Sequence, residues 1–559
     1  LIRRQRQMCI RDSGLLYVVP VLHLVFFHVG FVEAVKGVAE ELSASPPTPD
    51  LRLVEVRRGY GVTLLAFRGY DLGIVLNSIV LASLVSLVST GLGLLTALTI
   101  YLYRVPQVLG LIPVAASIPI PFVKAVAVYK LLDPSVGLLN ALFENLGLGL
   151  RVSVEGLAAV ALYQVAVFYP LAHLMILGYL QSLPREFAEA CYVVGAGPRY
   201  AVRGVLLPLA KPAVVAGLAT TFVLSLDDLE APLIFEKYPS ARNLLVYRAY
   251  RYFIDEVGGR YIPSGVGYAM ILLAVSLAVF LLSYRYVAVV YKSFGAIVAG
   301  SWGRRYRLSL RSAGEYLVFA LAMSVVVLSA VPTLIALVYA FSSRWVAEIL
   351  PVLGPGSLQA FLQDPSRVKA VVNSVLYTLS ALGVALLLSA PASYHSARRG
   401  AFSRAVEVLF MLPMVVPGIV VAYAYIAFFR HVPGALSIFS APQLYLVLAY
   451  ALRRAPYVYK ALQVAITAIP GDLEEASYVL GSRSSTTFTR IVVPIALRSS
   501  EMLLLFAAVH VVTEVSTSIT IGGLGPTMGW GSTAPISYVA VSYTHLRAHE
   551  TSLHLVCRL

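Results

Sequence analysis

Apolar residues run through the chain in long blocks separated by short polar stretches, and most blocks reach the about 20 residues that cross a bilayer core. The first six are Leu15–Val32, Leu72–Leu102, Val105–Leu132, Gly156–Leu183, Leu209–Phe235 and Gly265–Val290. Five more follow at Glu315–Phe341, Val368–Ser393, Ala405–Phe429, Leu444–Ile469 and Ile495–Ile521. This pattern predicts an all-α, polytopic membrane protein. Leu15–Val32 reads as a retained helix, because the run exceeds the about 7–15 residues of a signal-peptide core. Pro113, Pro119 and Pro121 interrupt the third block, which a membrane helix tolerates where neighbours satisfy the freed carbonyls. A twelfth span is expected from near Ser532, yet only about ten of the residues a span needs precede a polar tail, so truncation inside the last helix is expected.

Residues 1–13 and 542–559 shift abruptly to polar, His- and Arg-rich text that resembles translated sequencing-adapter sequence, and they are left out of the fold. Residues 14–291 then form a first transmembrane domain, 292–314 a basic linker and 315–541 a second transmembrane domain. Lys292, Arg304, Arg305, Arg307 and Arg311 place the linker on the cytoplasmic side by the positive-inside rule.

The two domains repeat one plan. Glu189, Ala190, Gly195 and Pro208 recur as Glu475, Ala476, Gly481 and Pro494, each pair 286 positions apart (475 less 189). Pro170 matches Pro456 at the same spacing, whereas Asn77-Ser78 and Pro121 match Asn373-Ser374 and Pro417 at 296 (373 less 77). Parallel duplication of six-helix units predicts a pseudo-two-fold axis along the membrane normal.

The polar stretches Pro184–Pro208 and Pro470–Pro494 each read as a short loop helix between spans. Phe187, Ala190, Cys191 and Val194, and likewise Leu473, Ala476, Ser477 and Leu480, recur at i, i+3, i+4 and i+7, a small apolar stripe. Glu186 with Glu189, and Asp472 with Glu475, form an acidic ridge beside it. Gly195 and Gly481 suit the helix stop, where a left-handed residue is wanted. Pro208 and Pro494 suit the start of the next helix.

The shared pattern E-A-[CS]-x3-G-x9-[IV]-x-[LV]-P resembles the EAA loop of ABC-importer permeases, with Cys191 and Ser477 where Ala is usual. Two such loops in one chain resemble the fused permeases of ferric iron and thiamine import. The resemblance implies that Glu186, Glu189, Ala190, Cys191, Gly195 and Pro208, with Asp472, Glu475, Ala476, Ser477, Gly481 and Pro494, couple to a cytoplasmic ABC ATPase dimer. It also implies an extracytoplasmic solute-binding protein, a small solute as cargo, and a location in the cell membrane with both loops cytoplasmic.

Composition agrees with this reading: 59% of residues are hydrophobic, 13% are charged, and the mean hydropathy is +0.81. The net charge of +15 lies in short loops rather than on one basic face, which fits membrane topology better than nucleic-acid binding. The three cysteines, Cys9, Cys191 and Cys557, have no metal-ligand spacing.

No P-loop, catalytic constellation or metal site is visible, so the chain reads as a non-enzyme binding no cofactor, with ATP-Mg expected on a partner ATPase. Ionisable residues inside spans are functional candidates by default. Asp227, Asp228 and Glu230 lie in the fifth span, and Asp228 recurs as Glu514, 286 positions on (514 less 228). These two carboxylates either line a translocation path or cap and pair within the bundle. An ion-coupled secondary transporter, with Asp228 and Glu514 binding the driving ion, is the alternative class. Lys124 reads as a snorkelling or paired side chain and His173 as a satisfied interior histidine. The tyrosines of 247–252 and 284–291 read as interface anchors.

Overall fold

The computed structural model describes residues 19–24, 31–44, 50–51, 53–59, 62–103, 105–117, 121–133, 137–182, 200–257, 263–298, 310, 312–344, 351–398, 402–527 and 533–542. Both chain ends and most of the central linker lie outside this set, as does the first loop helix with Glu186, Glu189, Ala190, Cys191 and Gly195.

The first half comprises α1 (Phe31–Ala44), β1 (Val54–Gly59), β2 (Val62–Phe67), α2 (Ile74–Leu102), α3 (Gln107–Ser117), α4 (Pro121–Leu132), β3 (Leu150–Val154), α5 (Gly156–Ser182), α6 (Leu207–Asp227), α7 (Glu230–Ile234), α8 (Leu245–Val257) and α9 (Pro263–Val298). The second comprises α10 (Ala313–Ser329), α11 (Val331–Ala340), α12 (Pro365–Ala397), α13 (Ser403–Met411), α14 (Gly418–Phe429), α15 (Pro442–Ala468), α16 (Gly471–Val479), α17 (Val493–Val512) and α18 (Ser516–Thr527).

Six described helices are long and apolar enough to cross a bilayer, or eight if each sharply bent helix pair is one span. The even spacing of apolar blocks had predicted more uniform crossings. Where Ala405–Phe429 was expected to be one span, α13 and α14 meet at 99°. Pro413 and Pro417 remove two backbone donors there, and a short 3-10 turn fills the break. The stretch Val105–Leu132 is likewise two helices, α3 and α4.

The charged segment Glu33–Asp71, between the first two apolar blocks, carries regular structure. It holds α1 and the β1–β2 hairpin, and β3 from the next connection joins β2 in parallel, Thr63 opposite Leu150. A three-stranded sheet thus caps one end of the first half. Both α2 and α5 start at this sheet end and run side by side, with Gly69 against Ala158 and Gly93 against Ala172 and His173. A Cβ on Gly93 would come within 2.8 Å of the His173 backbone nitrogen, so only glycine permits that approach.

Packing follows the rule for helices in lipid, where small and weakly polar residues bring backbones together. The buried face of α12 is Ala370, Ser374, Thr378, Ala381, Ala385, Ser389 and Ala392, while Leu379 and Leu387 point outward. Ser393 donates to the Tyr459 carbonyl at 2.8 Å, fixing α12 on α15. In the first half Ser86 donates to the Leu218 carbonyl at 2.7 Å, and Thr96 meets His173 Nδ1 at 2.7 Å. His173 is therefore interior, as expected, but satisfied at Nδ1 alone, its Nε2 being buried without a hydrogen-bond partner.

The repeated Asn-Ser pairs perform one task in both halves. The Ser78 hydroxyl accepts from the Leu245 N–H at 2.8 Å, and Ser374 from the Ile536 N–H at 2.8 Å. Asn77 and Asn373 donate to the carbonyls of Asn243 and Ala534. Each pair thereby caps the helix that follows the fifth-span region, α8 in one half and residues 536–542 in the other. The segment after Ser532 consequently corresponds to α8 rather than to the sixth span, and among the described residues nothing corresponds to α9.

Candidate functional site

Three helix interruptions converge at the middle of the molecule, where the two halves meet. Helix α6 gives way to α7 at Asp228, which has extended backbone (φ −71°, ψ 105°). Helix α17 gives way to α18 around Glu514, and α14 begins at Gly418 after the proline break. Backbone donors freed at such breaks need partners, and carboxylates supply them. The Gly418 N–H donates to Asp227 Oδ1 at 2.7 Å, the Thr517 N–H to Glu514 Oε1 at 3.2 Å, and the Glu230 N–H to Asp228 Oδ1 at 3.1 Å.

Arg453, on α15, joins these breaks. Its Nη2 donates to Asp227 Oδ2 at 2.6 Å and its Nη1 to Glu514 Oε1, so one guanidinium ties a carboxylate of each half. Gly418 makes room for it: a Cβ there would stand 2.4 Å from Arg453 Nη1 and 2.7 Å from Ser516 Cβ. Asp228 accepts from Gln164 Nε2 at 2.8 Å, and Glu230 from the Tyr163 hydroxyl at 3.0 Å.

These groups line a cleft that holds about 160 Å³ of water-accessible space, and both Asp228 and Glu514 face it. Each carboxylate sits at a helix break with partners of its own, and each also lines the cleft. Lys124, Arg454 and His510 line it too. Lys124 was expected to snorkel or pair; it is 3% exposed, and among the described residues no hydrogen bond or ion pair engages its ammonium. Glu230 lines the same cleft. Arg454 has only a 3.7 Å contact to Glu514 Oε2, and its Nε is buried without a hydrogen-bond partner.

The second loop helix is α16, which follows α15 directly. Gly481 has φ +81°, the left-handed stop expected of it. The Ser482 N–H bonds the Ser477 carbonyl and the Gly481 N–H the Tyr478 carbonyl, both at 3.0 Å, the paired pattern of a Schellman ending. Asp472, Leu473, Glu475, Ala476 and Leu480 are exposed, but Ser477 is not. Its hydroxyl lies 2.9 Å from Thr487 Oγ1, so the expected stripe loses Ser477 to the inner face. The outer surface is completed by Val479 and Leu480, 87% and 86% exposed. Glu474 turns inward, where Arg398 Nε donates to it at 2.8 Å and the Tyr394 hydroxyl also bonds it.

Pro208 and Pro494 do not begin new helices. Each follows a wide π-helical stretch, Ala201–Leu206 and Phe488–Val492, that leads without a break into α6 or α17. A proline clashes with the carbonyl four residues back in a regular helix, and the wider turn relieves this.

The family model described as "binding-protein-dependent transport system inner membrane component" matches residues 153–292 and 381–544, more than half of the chain and one segment in each half. The chain belongs to this family. It is a multi-pass permease subunit of the ABC importer class, and members of this family are generally not catalytic. A putative ferric transport system permease protein of Haemophilus influenzae is 24% identical over 81% of this chain and 70% of its own length. A ferric transport system permease protein of Actinobacillus pleuropneumoniae is 23% identical over 81% of this chain and 65% of its own. An sn-glycerol-3-phosphate transport system permease protein of Yersinia pseudotuberculosis is 28% identical over 40% of this chain and 73% of its own.

In this permease the sequence pointed to Asp228 and Glu514 but not to Arg453, Arg454 or Glu474. The repeat comparison that found the carboxylates hid the others, since Val167, Phe168 and Ala188 stand 286 positions before them. Two arginines within an apolar block were the signal that remained.

Proposed function

We propose that this permease forms the path of an ATP-driven importer, with the central cleft as its translocation route and the two loop helices as docking points for a cytoplasmic ATPase dimer. The observation that carries this reading is the outward face of α16. Val479 and Leu480 project from a helix ending held by Gly481, and a loop of the same pattern recurs in the first half. An exposed apolar patch of this kind on a polar loop is suited to a protein partner.

The chain has no nucleotide-binding motif, so ATP-Mg is bound and hydrolysed by the partner. Closure of that dimer draws the loop helices together, and the differential contacts of ATP in the closed dimer bias the two halves between inward- and outward-opening states. A solute-binding protein delivers cargo on the opposite side, and the loop helices and basic linker are cytoplasmic. Ferric iron is the leading substrate, on the strength of the two relatives that align across both halves, with thiamine or another small solute next. Asp228 and Glu514 are the acidic groups of this chain that the cargo meets in the cleft.

Co-purification with the ATPase tests the docking role. Gly195→Pro with Gly481→Pro is expected to abolish it while membrane insertion persists; normal co-purification would count against the role. Uptake into vesicles driven by an ion gradient, without ATP or an ATPase, would favour secondary transport instead.

A further inference from the structure

The acids and bases of the central cleft are unequally satisfied. Each carboxylate has a hydrogen-bonding partner: Asp227 and Glu514 share Arg453, Asp228 has Gln164, and Glu230 has Tyr163. Two further cations face the same four carboxylates, Lys124 without an ion pair and Arg454 with a single long one to Glu514. Lys124 comes from α4 of the first half and Arg454 from α15 of the second, and both line the same cleft. The Lys124 side chain is buried, and although Glu230 lines the same cleft no ion pair joins the two. The Arg454 Nε is buried with no partner, and its guanidinium stands 3.7 Å from the nearest carboxylate oxygen.

Burying a cation without a hydrogen-bonding partner is costly unless something else supplies the acceptors. The cleft that both side chains line has space for several waters, and so for a small oxyanion group. We propose that Lys124 and Arg454 form a binding site for an oxyanion, a carboxylate or phosphate group, that enters either as a free anion or as part of a metal chelate. Arginine offers such a group a planar fork of donors and lysine a point charge. With one cation from each half, the site is complete only while the halves are together. This deepens the reading of the cleft as a transport route and rests on it for the role of the site, but binding is a property of the purified chain alone.

The test is direct titration of the purified full-length permease in detergent with inorganic phosphate, citrate and ferric citrate. Saturable binding is expected, and Lys124→Met or Arg454→Met should each weaken it by about tenfold or more, as loss of a charge-assisted hydrogen bond predicts. Binding of phosphate or citrate alone would identify a free anion as the ligand; binding of ferric citrate only would identify the chelate. No saturable binding below about 10 mM, or binding that neither substitution changes, overturns the site. Thermal melting without added anion gives a second readout. Lys124→Met should melt no lower than the parent, because it removes an unpaired buried charge. A variant that melts markedly lower or fails to fold makes Lys124 a structural partner of Glu230 and overturns the site. Titration needs neither an ATPase nor a binding protein, so failure of ATP-driven import leaves this result standing, and absence of binding leaves the docking reading standing.

Discussion

Arg453 and Asp227 lie 226 positions apart in the sequence, belong to different halves of the permease, and meet at 2.6 Å. The same guanidinium holds Glu514, so removing it takes an ion pair from the buried Glu514 and the part-buried Asp227 at once. Arg453→Met is expected to destabilise the protein by about 3–5 kcal/mol, the usual cost of breaking a buried pair from one side. Asp227→Asn should cost less, because Arg453 keeps Glu514. In melting experiments the double variant should lose less than the sum of the two singles, since the residues act as a unit. Additive losses would mean that the pair is not coupled.

Gly418→Ala should reproduce part of this effect without touching a charge. The new methyl would stand 2.4 Å from Arg453 Nη1 and force the guanidinium off its carboxylates. Melting should fall in Gly418→Ala, and the same substitution should cost less once Arg453→Met has removed the guanidinium, the 2.7 Å contact with Ser516 Cβ remaining.

At the loop helix, Glu474→Gln should weaken the hold of α16 on α12 by about 1–3 kcal/mol, the range for losing hydrogen bonds to a charged group. Hydrogen exchange over residues 471–481 should accelerate, while exchange in the central part of α15 stays unchanged. Ala188→Glu should not build the same clamp in the first half, because Leu102 stands 296 positions before Arg398 (398 less 102).

Gly481→Ala meets no neighbour within 4 Å, so its cost is purely that of the left-handed backbone, about 1 kcal/mol. Gly481→Asn should be milder, since asparagine tolerates this region better. Limited proteolysis after residue 480 is the measurement, with the order Gly, Asn, Ala from most to least resistant.

Ser374→Ala removes the hydroxyl that accepts the Ile536 N–H and should cost about 1 kcal/mol, as loss of a helix cap does. Ser78→Ala should do the same at Leu245. Amide exchange at 536–542 and at the start of α8 would report each loss separately.

The sequence made the repeat legible wherever both halves kept the same residue type. Asn77-Ser78 with Asn373-Ser374, and Asp228 with Glu514, stood out because fixed spacing between like residues survives without knowledge of the fold. Gly481 was legible for a local reason, since a helix stop before a polar turn demands a left-handed residue. The sheet was not, because Val54–Gly59 and Val62–Phe67 are short and their parallel partner Leu150–Val154 lies far along the chain. The fate of Ser477 depended on Thr487, a contact that periodicity within α16 alone cannot supply.

The bridge at the centre also says something about ancestry and assembly. By the spacing of the repeat, Asp227 corresponds to Thr513 and Arg453 to Val167 (513 less 227, and 453 less 167, both 286). A homodimer of first halves would set valine opposite aspartate, and a homodimer of second halves arginine opposite threonine. Only the unlike pairing sets Arg453 opposite an aspartate of the other half, so once these two positions diverged the halves ceased to be interchangeable, and carrying both on one polypeptide guarantees that Asp227 meets its base.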